Sequence, residues 1–134
     1  MKPTPIALGL GCDRHTPAAT IEQCLTEALA ACGATLADVQ AVASIDLKAD
    51  EAGLAEVAAH HGWQIRFYPA AELAQVDVPN PSETVRKYTG TPSVSEAAAL
   101  LAASVGQEHL IIEKHKLRGP DGRNATVSIA RIPL

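Results

Sequence analysis

Short apolar runs alternate with stretches of helical spacing along the first half of the chain, and this order constrains the fold more than any other feature. The strand-like runs cover residues 6–11, 39–45 and 64–68. Between them, apolar residues recur every three or four positions, as on one face of an amphipathic helix. An alternation of this kind is typical of a parallel sheet covered by helices.

Capping signals predict where the two intervening helices begin and end. Thr16 and Pro17 are a favoured cap and a favoured first helical residue, and Gly33 is a typical stop. Asp50 is the predicted cap of the second helix, which ends at Gly62.

The segment that follows the third strand carries three further helical signals. Residues 69–73 favour a helical turn, and residues 80–90 favour a short capped helix. Ser93 and Glu96 form a capping-box pattern ahead of an alanine-rich run that extends to Ala103.

Two strands close the chain. Residues 110–117 and 125–132 are separated by a short turn, which predicts an antiparallel hairpin. We therefore expect one α/β domain over residues 1–134. It has three layers, a mixed and mainly parallel sheet of about five strands, a C-terminal antiparallel hairpin, and helices on both faces.

Composition excludes several classes of protein. The 134 residues fit one domain, and aromatics make up only 3% of the chain, so the core is built from small and aliphatic side chains. A net charge of −4 with few aromatics argues against a nucleic-acid binder. No apolar run approaches the ~20 residues of a membrane span, and no secretory signal is evident. The three cysteines form no metal motif, and a cytoplasmic protein with reduced thiols is expected.

The polar connections after the first two strands are candidate sites, because ligands gather beyond the carboxyl ends of parallel strands. Gly9 and Gly11 would let a ligand approach the backbone, and Arg14 beside a helix N-terminus would favour an anion. A tight turn with a surface arginine is the alternative.

Cys12 differs from Cys24 and Cys32, which belong to an apolar helix face. Its position near Arg14, His15 and a helix start would favour the thiolate, so a nucleophile or a metal ligand is conceivable. A small residue that fills a turn is the simpler interpretation, and we expect no metal site.

The second polar connection runs from Ser44 to Glu51 and contains the densest charge cluster. Asp46 is a candidate ligand contact or general base, with Lys48 beside it, although a solvated ion pair fits equally well. The 76–92 loop contributes polar residues where helices would begin. The candidates there and at its end are Asn80, Ser82, Thr91 and Ser93.

A basic strip, residues 114–118, gives the C-terminal segment a local positive charge. Either this strip guards a solvated sheet edge or it forms an electropositive rim for a polyanion.

Five segments in this order resemble the cobalamin-biosynthesis family that comprises CobE and the C-terminal domain of CbiG. They are Gly9-Leu-Gly-Cys-Asp-Arg14, Ala43-Ser-Ile-Asp-Leu-Lys-Ala-Asp-Glu51, Val78-Pro-Asn-Pro-Ser-Glu83, Gly90-Thr-Pro-Ser-Val-Ser-Glu-Ala-Ala-Ala-Leu100 and Ala125-Thr-Val-Ser-Ile-Ala-Arg131.

The resemblance implies a role in building the corrin ring, in a stand-alone form that looks like CobE of the oxygen-dependent route. The implied partners are a precorrin or other corrinoid intermediate and other enzymes of the pathway, with no nucleic acid, membrane or cofactor. Binding or carrying the intermediate is the expected role. The alternative is a CbiG-like hydrolase that opens a precorrin lactone and releases acetaldehyde, with Asp46 or His15 as the base.

Overall fold

The computed structural model describes residues 5–76 and 94–133 and is built on a five-stranded sheet. The strands are β1 (Ile6–Cys12), β2 (Val39–Ile45), β3 (Arg66–Tyr68), β4 (Leu110–Arg118) and β5 (Asn124–Arg131). Their order is β3-β2-β1-β5-β4. The first three strands are parallel, and β5 is antiparallel to both of its neighbours. The predicted mixed sheet and C-terminal hairpin are confirmed.

Within the described residues, four helices cover the two faces of this sheet. They are α1 (Ala18–Ala31), α2 (Ala52–His61), α3 (Ala70–Leu73) and α4 (Val94–Ala103). One apolar cluster joins α1 and α2 to one face, and a second joins α3 and α4 to the other. The three-layer α/β arrangement is therefore as expected. None of the helices in the described ranges is long and apolar enough to cross a membrane.

Strand β1 supplies both layers of the core through the two-residue alternation of a β-strand. Ile6, Leu8 and Leu10 belong to the cluster beneath α1 and α2. Ala7 belongs to the opposite cluster beneath α4, where the neighbouring positions of the same strand are glycines. Small residues on this side let α4 lie close to the sheet.

Gly9 marks the closest approach between α4 and the sheet. A Cβ atom at this position would lie only 1.8 Å from the carbonyl oxygen of Ser95 and 2.7 Å from the backbone nitrogen of Ala99. Gly9 therefore faces the helix backbone rather than open space. The predicted approach of a ligand to Gly9 is replaced by helix packing.

The predicted helix caps need correction. The cap of α2 is Glu51 and not Asp50, whose carboxylate pairs with Arg14 instead. Pro17 is the N-terminal cap of α1, and Thr16 donates its hydroxyl to the carbonyl of Asp13. The third strand is also shorter than predicted, because it begins at residue 66. The predicted helix over residues 80–90 and the Ser93 cap lie outside the described residues.

Candidate functional site

The carboxyl ends of β1 and β2 meet at one edge of the sheet, which we call the carboxyl edge and define as residues 12–16 and 46–51 together with the first turn of α4. Both α1 and α2 begin directly after these connections. Ser95 lies over Gly9 and Gly11, whereas Ala99 lies only over Gly9, so α4 runs antiparallel to β1 and starts at the same edge. Three helix N-termini, which favour anions, therefore lie at this edge, those of α1 and α2 on one face of the sheet and that of α4 on the other.

Hydrogen bonds to the C-terminal hairpin fix the connection after β1. The carboxylate of Asp13 accepts from the backbone and side-chain amides of Asn124, at 2.8 and 3.1 Å. The Nε of Arg123 donates to the carbonyl of Arg14 at 3.0 Å. The connection is therefore part of the rigid framework at this edge.

Arg14 is the first candidate ligand contact at the carboxyl edge, and it already has carboxylate partners. Its Nη2 lies 3.3 Å from Asp50 Oδ2, and its Nη1 lies 3.9 Å from Glu51 Oε1. The hydrogen bond and charge of Arg14 lower the pKa of Asp50. A ligand carboxylate would have to compete with both acidic groups.

Glu51 is a buried carboxylate that holds His15 in an uncommon backbone conformation. The backbone N–H of His15 donates to Glu51 Oε2 at 3.0 Å. His15 has a φ of 62°, in the left-handed region that few non-glycine residues adopt. Glu51 thus joins the start of α2 to the connection after β1.

An open cavity of about 450 Å³ lies between the N-terminal ends of α1 and α2. Arg14 and His15 line it, but so do three carboxylates, those of Asp50, Glu51 and Glu56. With one arginine against three acidic groups, this cavity is poorly suited to a polyanion.

Cys12 does not favour the thiolate, contrary to the prediction. Its thiol is partly buried at the end of β1, and this burial raises its pKa to about 11. The nearby charge of Lys48 lowers the pKa but does not outweigh the loss of solvent. Cys12 and His15 also lack a third donor close enough to complete a metal site within the described ranges.

Residues 46–48 form a 3₁₀ turn directly after β2, and Lys48 in this turn is half-buried. Asp46 is exposed, and Lys48 forms no ion pair with any residue in the described part of the chain. Leu47 lies between them and is 53% exposed, which is unusual for a large apolar side chain. Sequence reasoning singled out the two charged residues and missed the leucine.

Two further predicted contacts have structural roles. The hydroxyl of Ser44 is fully buried and donates to the carbonyl of Leu10 at 2.7 Å, so it joins β2 to β1. Gly11 is also buried, and a Cβ there would lie 3.1 Å from Thr126 Oγ1. The remaining candidates, Asn80, Ser82, Thr91 and Ser93, lie outside the described residues.

A buried polar network under α4 was not predicted. Glu96 is fully buried, and its Oε1 lies 3.7 Å from the Nζ of Lys114. Beside it, Ser128 Oγ lies 2.8 Å from Ser95 Oγ and donates to the carbonyl of Glu113. The capping-box pattern indicates only a helix start near Glu96 and carries no signal for its burial.

The basic strip on β4 does not form one electropositive rim. Lys114 reaches Glu96 beneath α4, whereas His115 Nε2 lies 2.8 Å from Glu27 Oε1 of α1. Successive side chains of the strand therefore serve opposite faces of the sheet.

Comparison with known proteins identifies the class to which this architecture belongs. A sequence profile of the family described as "Cobalamin synthesis G C-terminus" matches residues 6–130. Protein CobE of Sinorhizobium sp is 41% identical over 109 residues, which cover 80% of this chain and 70% of that protein. A crystal structure of CobE superimposes with a TM-score of 0.78 at 33% identity and covers 98% of this chain and 93% of that one.

The third relative is a longer protein. Cobalt-precorrin-5A hydrolase of Priestia megaterium is 39% identical over 132 residues, or 98% of this chain, but the chain spans only 33% of that enzyme. Fold and relatives together define an α/β protein of cobalamin biosynthesis. The chain belongs to the family that comprises CobE and the C-terminal domain of CbiG.

Proposed function

We propose that this protein binds a precorrin or other corrinoid intermediate at its carboxyl edge. The observation that carries the proposal is the turn after β2, where the exposed Leu47 directly precedes Lys48, a half-buried lysine. A corrin ring combines a broad apolar face with peripheral acetate and propionate groups. An apolar platform beside an available cation fits that combination.

Electrostatics at this edge favour Lys48 over Arg14 as the carboxylate contact. Arg14 is engaged by Asp50 and Glu51, whereas Lys48 has no ion-pair partner among residues 5–76 and 94–133. The N-terminus of α4 adds backbone N–H groups at the same edge. A ligand carboxylate that binds Lys48 would therefore displace water from the ammonium group, and it would not have to displace a protein carboxylate.

A spectroscopic titration tests this proposal. The full chain is titrated with hydrogenobyrinic acid, and the corrin absorption bands report binding. Loss of a charge-assisted hydrogen bond costs roughly 1.5–3 kcal/mol, so Lys48→Ala should weaken affinity about tenfold or more. Leu47→Ser should weaken it separately, through lost apolar contact.

Arg131→Ala is the matched control for the loss of one positive charge. Arg131 is exposed and pairs with Ile6, at the opposite end of β1 from the carboxyl edge. The proposal requires Arg131→Ala to bind like the unaltered protein. Equal weakening in Arg131→Ala and Lys48→Ala would indicate attraction by net charge and would refute a site at Lys48.

Hydrolysis of a corrinoid lactone is the second candidate function, favoured by the 39% identity to cobalt-precorrin-5A hydrolase. In such a hydrolase Asp46, which is exposed, would take a proton from an attacking water, and His15 is the alternative base. Release of acetaldehyde from a lactone intermediate by this chain alone would support the hydrolase. Asp46→Asn should then abolish turnover while binding is retained. Binding without acetaldehyde release would leave the carrier role.

A further inference from the structure

We propose that Glu22, His60 and His61 form a binding site for a divalent transition-metal ion, with Zn²⁺ as the best-matched ion. One donor atom from each of these side chains lies within 4.8 Å of the other two. In the described part of the chain, this is the one place where three potential metal-ligating groups come together. The site lies at the C-terminal end of α2, away from the carboxyl edge at its N-terminal end.

Packing between the two helices brings these groups together. Glu22 lies in α1, the histidines are the last two residues of α2, and the two helices share one apolar cluster. His61 Nε2 is already 2.6 Å from Glu22 Oε1. The rings of His60 and His61 are 4.8 Å apart and nearly perpendicular, and one ring nitrogen of each lies within 4.8 Å of the other and of a Glu22 carboxylate oxygen.

The end of α2 fixes the orientation of His61. Gly62 ends the helix in the left-handed conformation, and the N–H of Trp63 donates to the carbonyl of Ala58 at 2.8 Å. The Trp63 ring consequently stacks on His61 with 4.5 Å between the ring centroids. A held imidazole loses less conformational freedom when it binds an ion.

The donor set and the space around it suit zinc. Two imidazoles and one carboxylate leave a fourth tetrahedral position open, as in catalytic zinc sites. Zinc takes these ligands at about 2.0–2.2 Å, so its ligand atoms lie roughly 3.4 Å apart, and donor atoms that now lie within 4.8 Å of one another must move closer by side-chain rotation. A cavity of about 290 Å³ lined by Glu22, Glu56 and His60 leaves room for water or for the Glu56 carboxylate.

Favourable charge at a helix C-terminus is the competing explanation for two histidines at this position. It accounts for the pairing of His61 with Glu22 without any ion. The helix-charge explanation gives the exposed His60 no part in binding a metal ion. His60→Ala therefore separates the two explanations and leaves the His61–Glu22 contact intact.

Trp63, the only tryptophan of the chain, is a built-in reporter for the experiment. The full chain is freed of metal with a chelator and titrated with Co²⁺, which quenches nearby tryptophan fluorescence. Zn²⁺ is then added as competitor. We expect saturable quenching by one equivalent of Co²⁺ at micromolar concentration, reversed by Zn²⁺, and without the near-ultraviolet band of a cobalt–thiolate bond.

Single substitutions decide the outcome. Substituting a residue that only hydrogen-bonds to a metal ligand typically lowers metal affinity about 10–100-fold. Because His60 and Glu22 are proposed to be ligands themselves, His60→Ala and Glu22→Gln should each weaken binding at least about tenfold. His115→Ala is the matched control, because it removes another histidine paired with a glutamate of α1 but lies outside the cluster. It should bind metal like the unaltered protein.

Two results would overturn the site. One is quenching by Co²⁺ that persists unchanged in His60→Ala, and the other is the absence of saturable binding at micromolar concentration. Either would leave helix-end charge as the role of the histidines. The corrinoid titration is read from different absorption bands and depends on different residues, so each proposal stands or falls separately.

Discussion

The thiol of Cys12 shows how burial and charge compete at one residue. Lys48 favours the thiolate, while Glu51 and Asp13 oppose it, and desolvation is the largest influence on the pKa. The sequence pattern pointed to Arg14 and His15 as the charged neighbours of Cys12. In the folded chain the thiol is instead influenced by Lys48, Glu51 and Asp13 and, above all, by the loss of solvent. For that reason a residue that suggested a nucleophile is a neutral thiol at physiological pH.

Alkylation kinetics test this conclusion. Because the pKa of Cys12 is about 11, its labelling by iodoacetamide at pH 7 should be far slower than that of a free cysteine, with a pKa of about 8.5. The labelling rate should keep rising with pH up to about 11. Peptide mass spectrometry distinguishes this site from Cys24 and Cys32. Rapid labelling of Cys12 at pH 7 would refute the neutral thiol.

For the other single residues, a placement that depends on position along the chain could be predicted, and a role that depends on a partner distant in sequence could not. Lys48 and Asp46 remain at the carboxyl edge as their position after a strand predicts. Ser44 instead donates a hydrogen bond to β1, and Gly9 packs against the backbone of α4, so both contact elements that are distant from them in sequence. Spacing along the chain places a residue at an edge, but only the packed neighbours show whether it faces a ligand or the core.

At the scale of elements, local signals predicted the helices and strands well where the pattern was long. The bounds of β2 match the prediction, and β1 extends it by one residue. The helix α2 begins one residue later than predicted, with Glu51 as its cap, and the carboxylate of Asp50 pairs with Arg14, 36 residues away in sequence. A contact over that distance is not visible in the local capping pattern that predicted the helix start.

Because α4 and β1 are in close contact at Gly9, we expect this position of β1 to be sensitive to the addition of a side chain. Gly9→Ala places a methyl group against the backbone of Ser95, so the helix must shift. We expect a loss of about 1–3 kcal/mol in the free energy of unfolding. Gly11→Ala is the control, because its nearest contact is a side-chain oxygen 3.1 Å away. Urea denaturation should show a clearly larger loss for Gly9→Ala, and equal losses would contradict the packing role.

The contact between α1 and β4 predicts a pH-dependent contribution to stability. The hydrogen bond from His115 lowers the pKa of Glu27 below its ordinary 4.5. A lowered folded-state pKa stabilises the folded protein above pH 4.5, and this contribution is lost as the pH falls through the folded-state value. The stability difference between the unaltered protein and Glu27→Gln should therefore shrink below pH 4.5, as measured by urea denaturation. A difference that grows on acidification would have the wrong sign.

For the whole molecule, the order of elements was enough to predict a mixed three-layer fold, because the crossovers between parallel strands must lie on the faces of the sheet. The strand order was not predictable. Placing β5 beside β1 brings Asn124 to Asp13 and the hairpin to the carboxyl edge. The edge is therefore shaped by both ends of the chain, which no local pattern encodes.

The central claim is that a corrinoid binds at the carboxyl edge, and amide chemical-shift mapping tests its location most directly. Uniformly ¹⁵N-labelled protein is titrated with hydrogenobyrinic acid, and its two-dimensional amide spectrum is followed. The largest shifts should fall on residues 12–16, 46–51 and the first turn of α4, with few changes near Arg131 at the opposite end. An unchanged spectrum, or shifts centred elsewhere on the described surface, would contradict the account.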